Sequence, residues 1–263
     1  MKITITFAVV LTTAVAFAGC QAKEREGPPA ADATTALARE EGTPKPATVT
    51  FTTSDGWEIY ATYWDAGEGK PAAILLHMLI ADRRSYDDFG AKLAAAGLNV
   101  LAPDSRGHGD SLKKNGKTRR YTEFDDEEHK SSVKDVAAAK DFLAQKGADT
   151  SKLVVVGASI GANFALNYGA DDADVRAVVL LSPGLEYHGV ETVAAMAEYG
   201  DRPAYLVASE EDGYSADSIG KLHEIAPGAE FKMFEGAGHG TKIFRAEPAF
   251  EDTLVDWLAA QVK

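Results

Sequence analysis

The stretch VVVGASIGANFAL, residues 154–166, runs three valines into a Gly-x-Ser-x-Gly pentapeptide and then into an Ala/Leu-containing run. The valines read as a buried strand and the residues after Gly161 as a helix, so Ser159 falls on the turn between them. A strand-to-helix turn this tight crowds its neighbours, which accounts for a glycine on either side of the serine. In that setting the Ser159 hydroxyl is expected to point outward, next to a helix N-terminus whose unpaired N–H groups can stabilise an oxyanion. The pentapeptide alone is a weak signal, and the same serine could be a plain turn residue. The rest of the chain has to decide.

Around this stretch, short apolar runs alternate with helical patterns. The runs are AAILLHM, LNVLAP, KLVVVG, AVVLLS, PAYLVA and EFKMFE. The helical segments include RSYDDFGAKLAAA, HKSSVKDVAAAKDFLAQK, ADSIGKLHEIA and the terminal PAFEDTLVDWLAAQV. Ahead of them, TVTFTT and WEIYATYW are joined by SDG, a hairpin signal. The pattern implies an α/β fold: a mostly parallel twisted sheet of about eight strands, with helices on both faces and the hairpin at one edge. In such sheets, functional groups collect in the loops beyond the carboxyl ends of the strands.

Serine is a poor nucleophile without a base. Of six histidines, His239 lies in FEGAGHGTKIF, between the last strand and the final helix, where glycines allow a tight loop. A Gly-rich turn with no chemical role is the alternative there. His129 and His223 fall in helical patterns and are expected to be solvated. A third group should orient the imidazole. The loop after PAYLVAS offers Glu210, Glu211, Asp212 and Asp217; Asp212, just before Gly213, fits best, with Asp217 as the second choice.

Four motifs now stand in order: LLHMLIADRRS, APDSRGHGDS, GASIG and GAGHG. Together they resemble the α/β-hydrolase superfamily over residues 48–263. The resemblance implies a catalytic set of Ser159, Asp212 and His239. It also implies an oxyanion hole from the N–H of Ile160 and an N–H of the loop after the third strand, at Leu79 with Met78 as the fallback. Met78 stands where the commoner motif has glycine. No metal and no organic cofactor is implied. Asp104, Arg106 and His108 match a turn that packs beneath the serine, a structural part. The acidic EFDDEE, residues 123–128, is read as a solvated helix start rather than a metal site. Tyr187 and His188 are candidates for the mouth of the pocket.

The 263-residue chain carries a formal net charge of −13, which argues against a nucleic-acid partner. Its one cysteine, Cys20, ends MKITITFAVVLTTAVAFAGC, a basic start followed by an apolar run too short for a comfortable membrane span. FAGC resembles the lipobox of bacterial lipoproteins, with Phe17 in place of the usual leucine. It implies a signal peptide over residues 1–19 and a lipidated Cys20 anchoring the chain to the cell envelope. Gln21 favours the outer membrane over the inner. Residues 20–47, rich in Pro, Ala, Glu and Thr, read as a disordered tether.

These features together imply an exported serine hydrolase of carboxylic esters, acting on a small-molecule ester through an acyl-enzyme. Thioester, lactone and peptide hydrolysis stay open, as does a non-catalytic envelope binding lipoprotein. Only residues 183–202 fill the gap where related folds insert a cap. A shallow site favouring short acyl chains is therefore expected.

Overall fold

The computed structural model describes residues 44–263; the expected signal peptide, Cys20 and the expected tether as far as residue 43 lie outside the described residues. Strands β1 (Ala47–Thr52) and β2 (Trp57–Trp64) form the expected antiparallel hairpin. After them come β3 (Pro71–Leu76), α1 (Asp87–Ala95) and β4 (Asn99–Pro103), then a two-residue hairpin of β5 (Lys113–Lys114) and β6 (Lys117–Thr118). The chain continues through α2 (Asp126–Lys130), α3 (Val133–Gln145), β7 (Asp149–Ala158), α4 (Ile160–Asp171) and β8 (Val175–Leu181). A second small hairpin, β9 (Glu186–Tyr187) and β10 (Val190–Glu191), precedes α5 (Val193–Tyr199). The last elements are β11 (Ala204–Ser209), α6 (Gly213–Ile225), β12 (Glu230–Phe234), α7 (Lys242–Ala246) and α8 (Pro248–Gln261).

The main sheet runs β12-β11-β8-β7-β3-β4-β2-β5-β6, with β1 paired to β2. Its six strands from β12 to β4 are parallel, and β2 turns antiparallel against β4. The fold is that of an α/β-hydrolase. The eight expected runs all form strands, and β5–β6 adds two short ones.

Period-two alternation explains why both faces are covered. Along β3, Ala72, Ile74 and Leu76 pack into the layer of α3, α4, α5 and α6, while Ala73 and Leu75 pack into that of α1, α7 and α8. Strand β7 does the same, with Leu153 and Val155 on the first face and Val154, Val156 and Ala158 on the second. Each fully buried Val, Leu or Ile contributes roughly 1.5–3 kcal/mol, so the sheet centre is the stable platform on which the loops at its carboxyl end are mounted.

The turn at residues 104–111 fixes one of those loops. Asp104 accepts hydrogen bonds from the Arg83 amide and the Asp110 amide, both at 2.8 Å, and pairs with the Arg83 guanidinium. Arg106 has no exposed surface; it donates to Asp135 Oδ1 at 2.8 and 3.0 Å, to Asp55 at 2.9 and 3.0 Å, and to Glu128 at 3.2 Å. A buried guanidinium needs this many carboxylates, since an unpaired charge there would be very costly.

Two sequence expectations are corrected here. Asp125 does cap α2, accepting from the Glu128 amide at 2.9 Å, but Glu128 turns inward to Arg106, Lys114 and the Trp57 indole N–H. His129 is buried rather than solvated, stacked on His188 with ring centres 4.5 Å apart. Helix α2 is polar throughout, so its sequence does not mark which residues turn inward: Asp126, Glu127 and Lys130 are exposed, whereas Glu128 and His129 face the Arg106 network and His188. Among the described residues, no group of three His, Cys, Asp or Glu side chains is arranged to hold a metal, and no helix is long and apolar enough to cross a membrane.

Candidate active site

Strand β7 ends at Ala158 because Ser159 takes φ +54° and ψ −125°, a conformation that non-glycine residues rarely adopt. The neighbours enforce it. A Cβ on Gly157 would overlap the Gly161 carbonyl, and one on Gly161 would overlap the Leu76 and His77 carbonyls. The Ser159 amide donates to the Leu181 carbonyl at 2.8 Å, and its hydroxyl makes no capping bond to α4. The side chain is therefore left for other work. Ser159 is only 7% exposed, more enclosed than the short 183–202 segment leads one to expect.

The enclosure comes from the β9–β10 hairpin. His188 and Gly189 form its two-residue loop at φ +50° and +76°, as a type I′ turn requires. This turn carries Tyr187 inward, where its hydroxyl meets Ser215 Oγ at 3.1 Å and lies beside the Ser159 hydroxyl. Burial raises the phenol above its ordinary range and Asp212 adds to the rise, against the two serine hydroxyls. Tyr187 thus stays protonated at neutral pH and stands in the site itself.

Asp212 and His239 are brought together: Nδ1 of His239 lies 2.6 Å from Oδ2 of Asp212. A carboxylate accepts this hydrogen bond, so Nδ1 carries the proton, and in the neutral form of the ring Nε2 keeps its lone pair. Asp217, the second choice, sits on the exposed side of α6. Gly240, next to His239, is in close packing with Ala158, next to Ser159.

The loop carrying His239 is held by three side chains from the ends of two strands, β8 and β11. Glu211 accepts from the Gly236 amide at 2.9 Å and the Gly238 amide at 2.7 Å. Ser209 Oγ accepts from the Ala237 amide at 2.9 Å, and Ser182 Oγ accepts from the Gly240 amide at 2.9 Å. The Ser209 hydroxyl in turn donates to Glu211 at 2.6 Å. That bond, with the Gly238 amide, pulls the Glu211 carboxyl down to about 2. Sequence reading took Glu211 only as a rival acid; its part as a clamp has no local signature.

The two proposed oxyanion donors flank this arrangement. Ile160 is the first residue of α4, so its N–H belongs to the unpaired first turn. The Met78 carbonyl accepts from His77 Nδ1 at 2.8 Å and from the Ala81 amide at 3.0 Å. In a trans peptide the N–H points opposite to the carbonyl, so these two bonds turn the Leu79 N–H out of the loop. His77 Nε2 accepts from the Ser105 amide at 3.0 Å. Burial and the nearby His108 push its imidazole down to about 4, so it remains a neutral strut. A hydroxyl, an imidazole backed by a carboxylate, and two candidate amide donors can together support nucleophilic acyl transfer.

The family described as serine aminopeptidase, S33 matches residues 67–240. Among solved structures, an esterase of Pyrococcus furiosus, Pf2001, is similar at 17% identity and TM-score 0.68, covering 85% of this chain and 95% of its own. The thermostable carboxylesterase EstE1, from a metagenomic library, matches at 17% identity and TM-score 0.63, over 88% of this chain and 95% of its own. A 2,6-dihydroxy-pseudo-oxynicotine hydrolase matches at 16% identity and TM-score 0.67, over 87% of this chain and 72% of its own. At these identities the likeness concerns the fold. No curated protein matches the sequence significantly.

Proposed function

The chain belongs to the serine aminopeptidase S33 family of hydrolases, and from that premise we propose that it cleaves carboxylic esters through Ser159, His239 and Asp212. The observation that carries this reading is the 2.6 Å bond between His239 Nδ1 and Asp212 Oδ2, next to a serine at positive φ. Nε2 of His239 takes the Ser159 proton as Oγ attacks the ester carbonyl. The Ile160 and Leu79 amides hold the oxyanion. His239 passes its proton to the departing alcohol, leaving an acyl-enzyme. Water, deprotonated by the same imidazole, releases the acid and restores Ser159.

Short acyl chains are the favoured substrates, because residues 183–202 supply one small hairpin beside the serine and one short helix packed on α4 and α6, too little for a lid with its own core. Each methylene left in water forgoes about 0.8 kcal/mol of binding. The family's description favours a second reading, hydrolysis of aminoacyl amides. Rates on p-nitrophenyl esters of two to twelve carbons, run beside thioesters, lactones and aminoacyl p-nitroanilides, separate these. A maximum at about two to six carbons is the expected result; faster turnover of the anilides moves the assignment to peptidase.

Cys20 is proposed to carry the lipid that tethers the domain to the envelope, on the strength of FAGC after an apolar run. Fatty-acid labelling in a bacterial host tests it: Cys20→Ser should lose the label, and an unlabelled wild-type chain would exclude the anchor.

A further inference from the structure

The end of strand β8 holds three parts of the site at once. The Leu181 carbonyl accepts from the Ser159 amide at 2.8 Å. Ser182, fully buried at φ +52°, accepts the Gly240 amide on its Oγ at 2.9 Å, next to His239. The Ser182 carbonyl faces the Ser215 hydroxyl at 3.4 Å, and Ser215 Oγ is in turn 3.1 Å from the Tyr187 hydroxyl. Nucleophile, base and phenol are therefore all placed by one strand end.

The hairpin that carries Tyr187 is bolted from two sides. On α4, the helix that Ser159 begins, Asn163 accepts from the Gly184 amide at 3.1 Å and donates to the Val190 carbonyl at 2.7 Å. On α6, Ser218 Oγ accepts from the Leu185 amide at 3.1 Å. The Tyr214 hydroxyl bonds both the amide and the carbonyl of Glu186, at 3.0 and 2.9 Å. A phenol fixed in this way meets a reacting atom without reorganising the protein. The single Ser215 proton is directed at the Ser182 carbonyl, so Ser215 Oγ accepts the Tyr187 proton at rest. Rotation about the phenol C–O bond frees that proton for an atom at Ser159, whose hydroxyl lies beside it. The neighbours of Tyr187 tell which atom it meets. Ser215 and Asp212 both belong to the start of α6, and Asp212 holds His239. The carbonyl oxygen of an ester turns to the Ile160 and Leu79 amides, whereas the other ester oxygen must face His239 to receive its proton.

We propose that the Tyr187 hydroxyl is a catalytic donor to the departing alcohol, which fits the site to esters of alkyl alcohols. The proposal rests on the ester reading above. As the tetrahedral intermediate collapses, the oxyanion re-forms the carbonyl and the C–O bond to the alcohol breaks. The electron pair of that bond passes to the alcohol oxygen, which takes the proton from His239 Nε2. Tyr187 keeps its own proton and shares it with a second lone pair of the same oxygen. A bond to a developing alkoxide is charge-assisted, and so stronger than the resting bond to the neutral Ser215 hydroxyl. The interaction therefore strengthens in the transition state, where it accelerates the reaction. Burial keeps the phenol protonated at neutral pH, as this role requires.

The test compares ethyl butyrate with p-nitrophenyl butyrate, which form the same acyl-enzyme and differ only in the alcohol. p-Nitrophenolate departs without a proton, whereas ethoxide does not. Tyr187→Phe keeps the ring and removes only the hydroxyl. Its kcat/KM should fall by about 10²-fold on the ethyl ester and by far less on the aryl ester, so the ethyl-to-aryl ratio drops by roughly tenfold or more. A part in packing alone would lower both esters alike; that result, or an unchanged ratio, overturns the proposal. The wild-type protein gives a second reading, over a series of alkyl and aryl butyrates. Its kcat/KM should depend only weakly on the acidity of the alcohol, and a steep dependence overturns the proposal without any variant. Wild-type cleavage of the aryl ester alone also overturns it and leaves the ester reading standing. Cleavage of neither overturns both.

Discussion

His239 Nδ1 and Asp212 Oδ2 lie 2.6 Å apart although 27 positions separate them in the chain. The register of the last two strands brings this about. Strands β11 and β12 pair in parallel with Ser209 opposite Phe234, so the loops that follow leave the sheet side by side. Asp212 stands three residues past the first strand and His239 five past the second. Asp212→Asn keeps the size of the side chain but can hold the imidazole in the wrong tautomer. Turnover should fall by about 10³–10⁴-fold. Asp217→Asn, on the exposed side of α6, should stay near wild type. Steady-state rates of the two variants decide, and the opposite ranking transfers the acid role to Asp217.

Glu211 should matter through position rather than through chemistry. Its carboxylate clamps the Gly236 and Gly238 amides, and Glu211→Gln weakens that clamp without changing its shape. The expected effect is a drop in kcat of roughly tenfold with KM almost unchanged, because a small misplacement of His239 costs rate more than binding. The stability effect has a defined pH window. The folded-state value is about 2 against an ordinary 4.5, so the carboxylate's contribution is fully present above 4.5 and is lost as pH falls through 2. Melting temperatures of wild type and Glu211→Gln should differ at neutral pH and converge toward pH 2. A gap that stays constant across that range would assign the difference to something other than the charge.

The sheet and the order of Ser159, Asp212 and His239 were legible in the sequence because each leaves a local pattern: apolar runs, glycines around a tight turn, an acid or a histidine just past a strand. Tyr187 was harder. The only local cue is His188-Gly189, a pair suited to a positive-φ hairpin loop, and its placement over Ser159 depends on α6 supplying Ser215. The inward turn of Glu128 and the burial of His129 had no cue at all, because the partners, Arg106 and His188, lie 22 and 59 residues away in the chain. The sequence reports that α2 is polar. It does not report which of its side chains meet water and which a buried guanidinium.

Arg106 offers a test of that buried network. Asp135 is sealed from solvent, and burial raises its carboxyl above the usual range against the pull of Arg106. Removing the guanidinium strands the carboxylate, so Arg106→Ala should destabilise the domain by about 3–5 kcal/mol in denaturant unfolding. The double variant Arg106→Ala with Asp135→Ala should lose clearly less than the sum of the two single changes. Strict additivity would mean that the pair does not act as a unit.

The most direct test of the central claim is a covalent one. The protein is treated with a fluorophosphonate, digested, and the modified peptide sequenced by mass spectrometry. A single adduct on Ser159, abolished in Ser159→Ala and strongly slowed in His239→Ala, is the expected result. A folded wild-type protein that takes up no label, or takes it on another residue, would contradict the assignment of Ser159 as nucleophile.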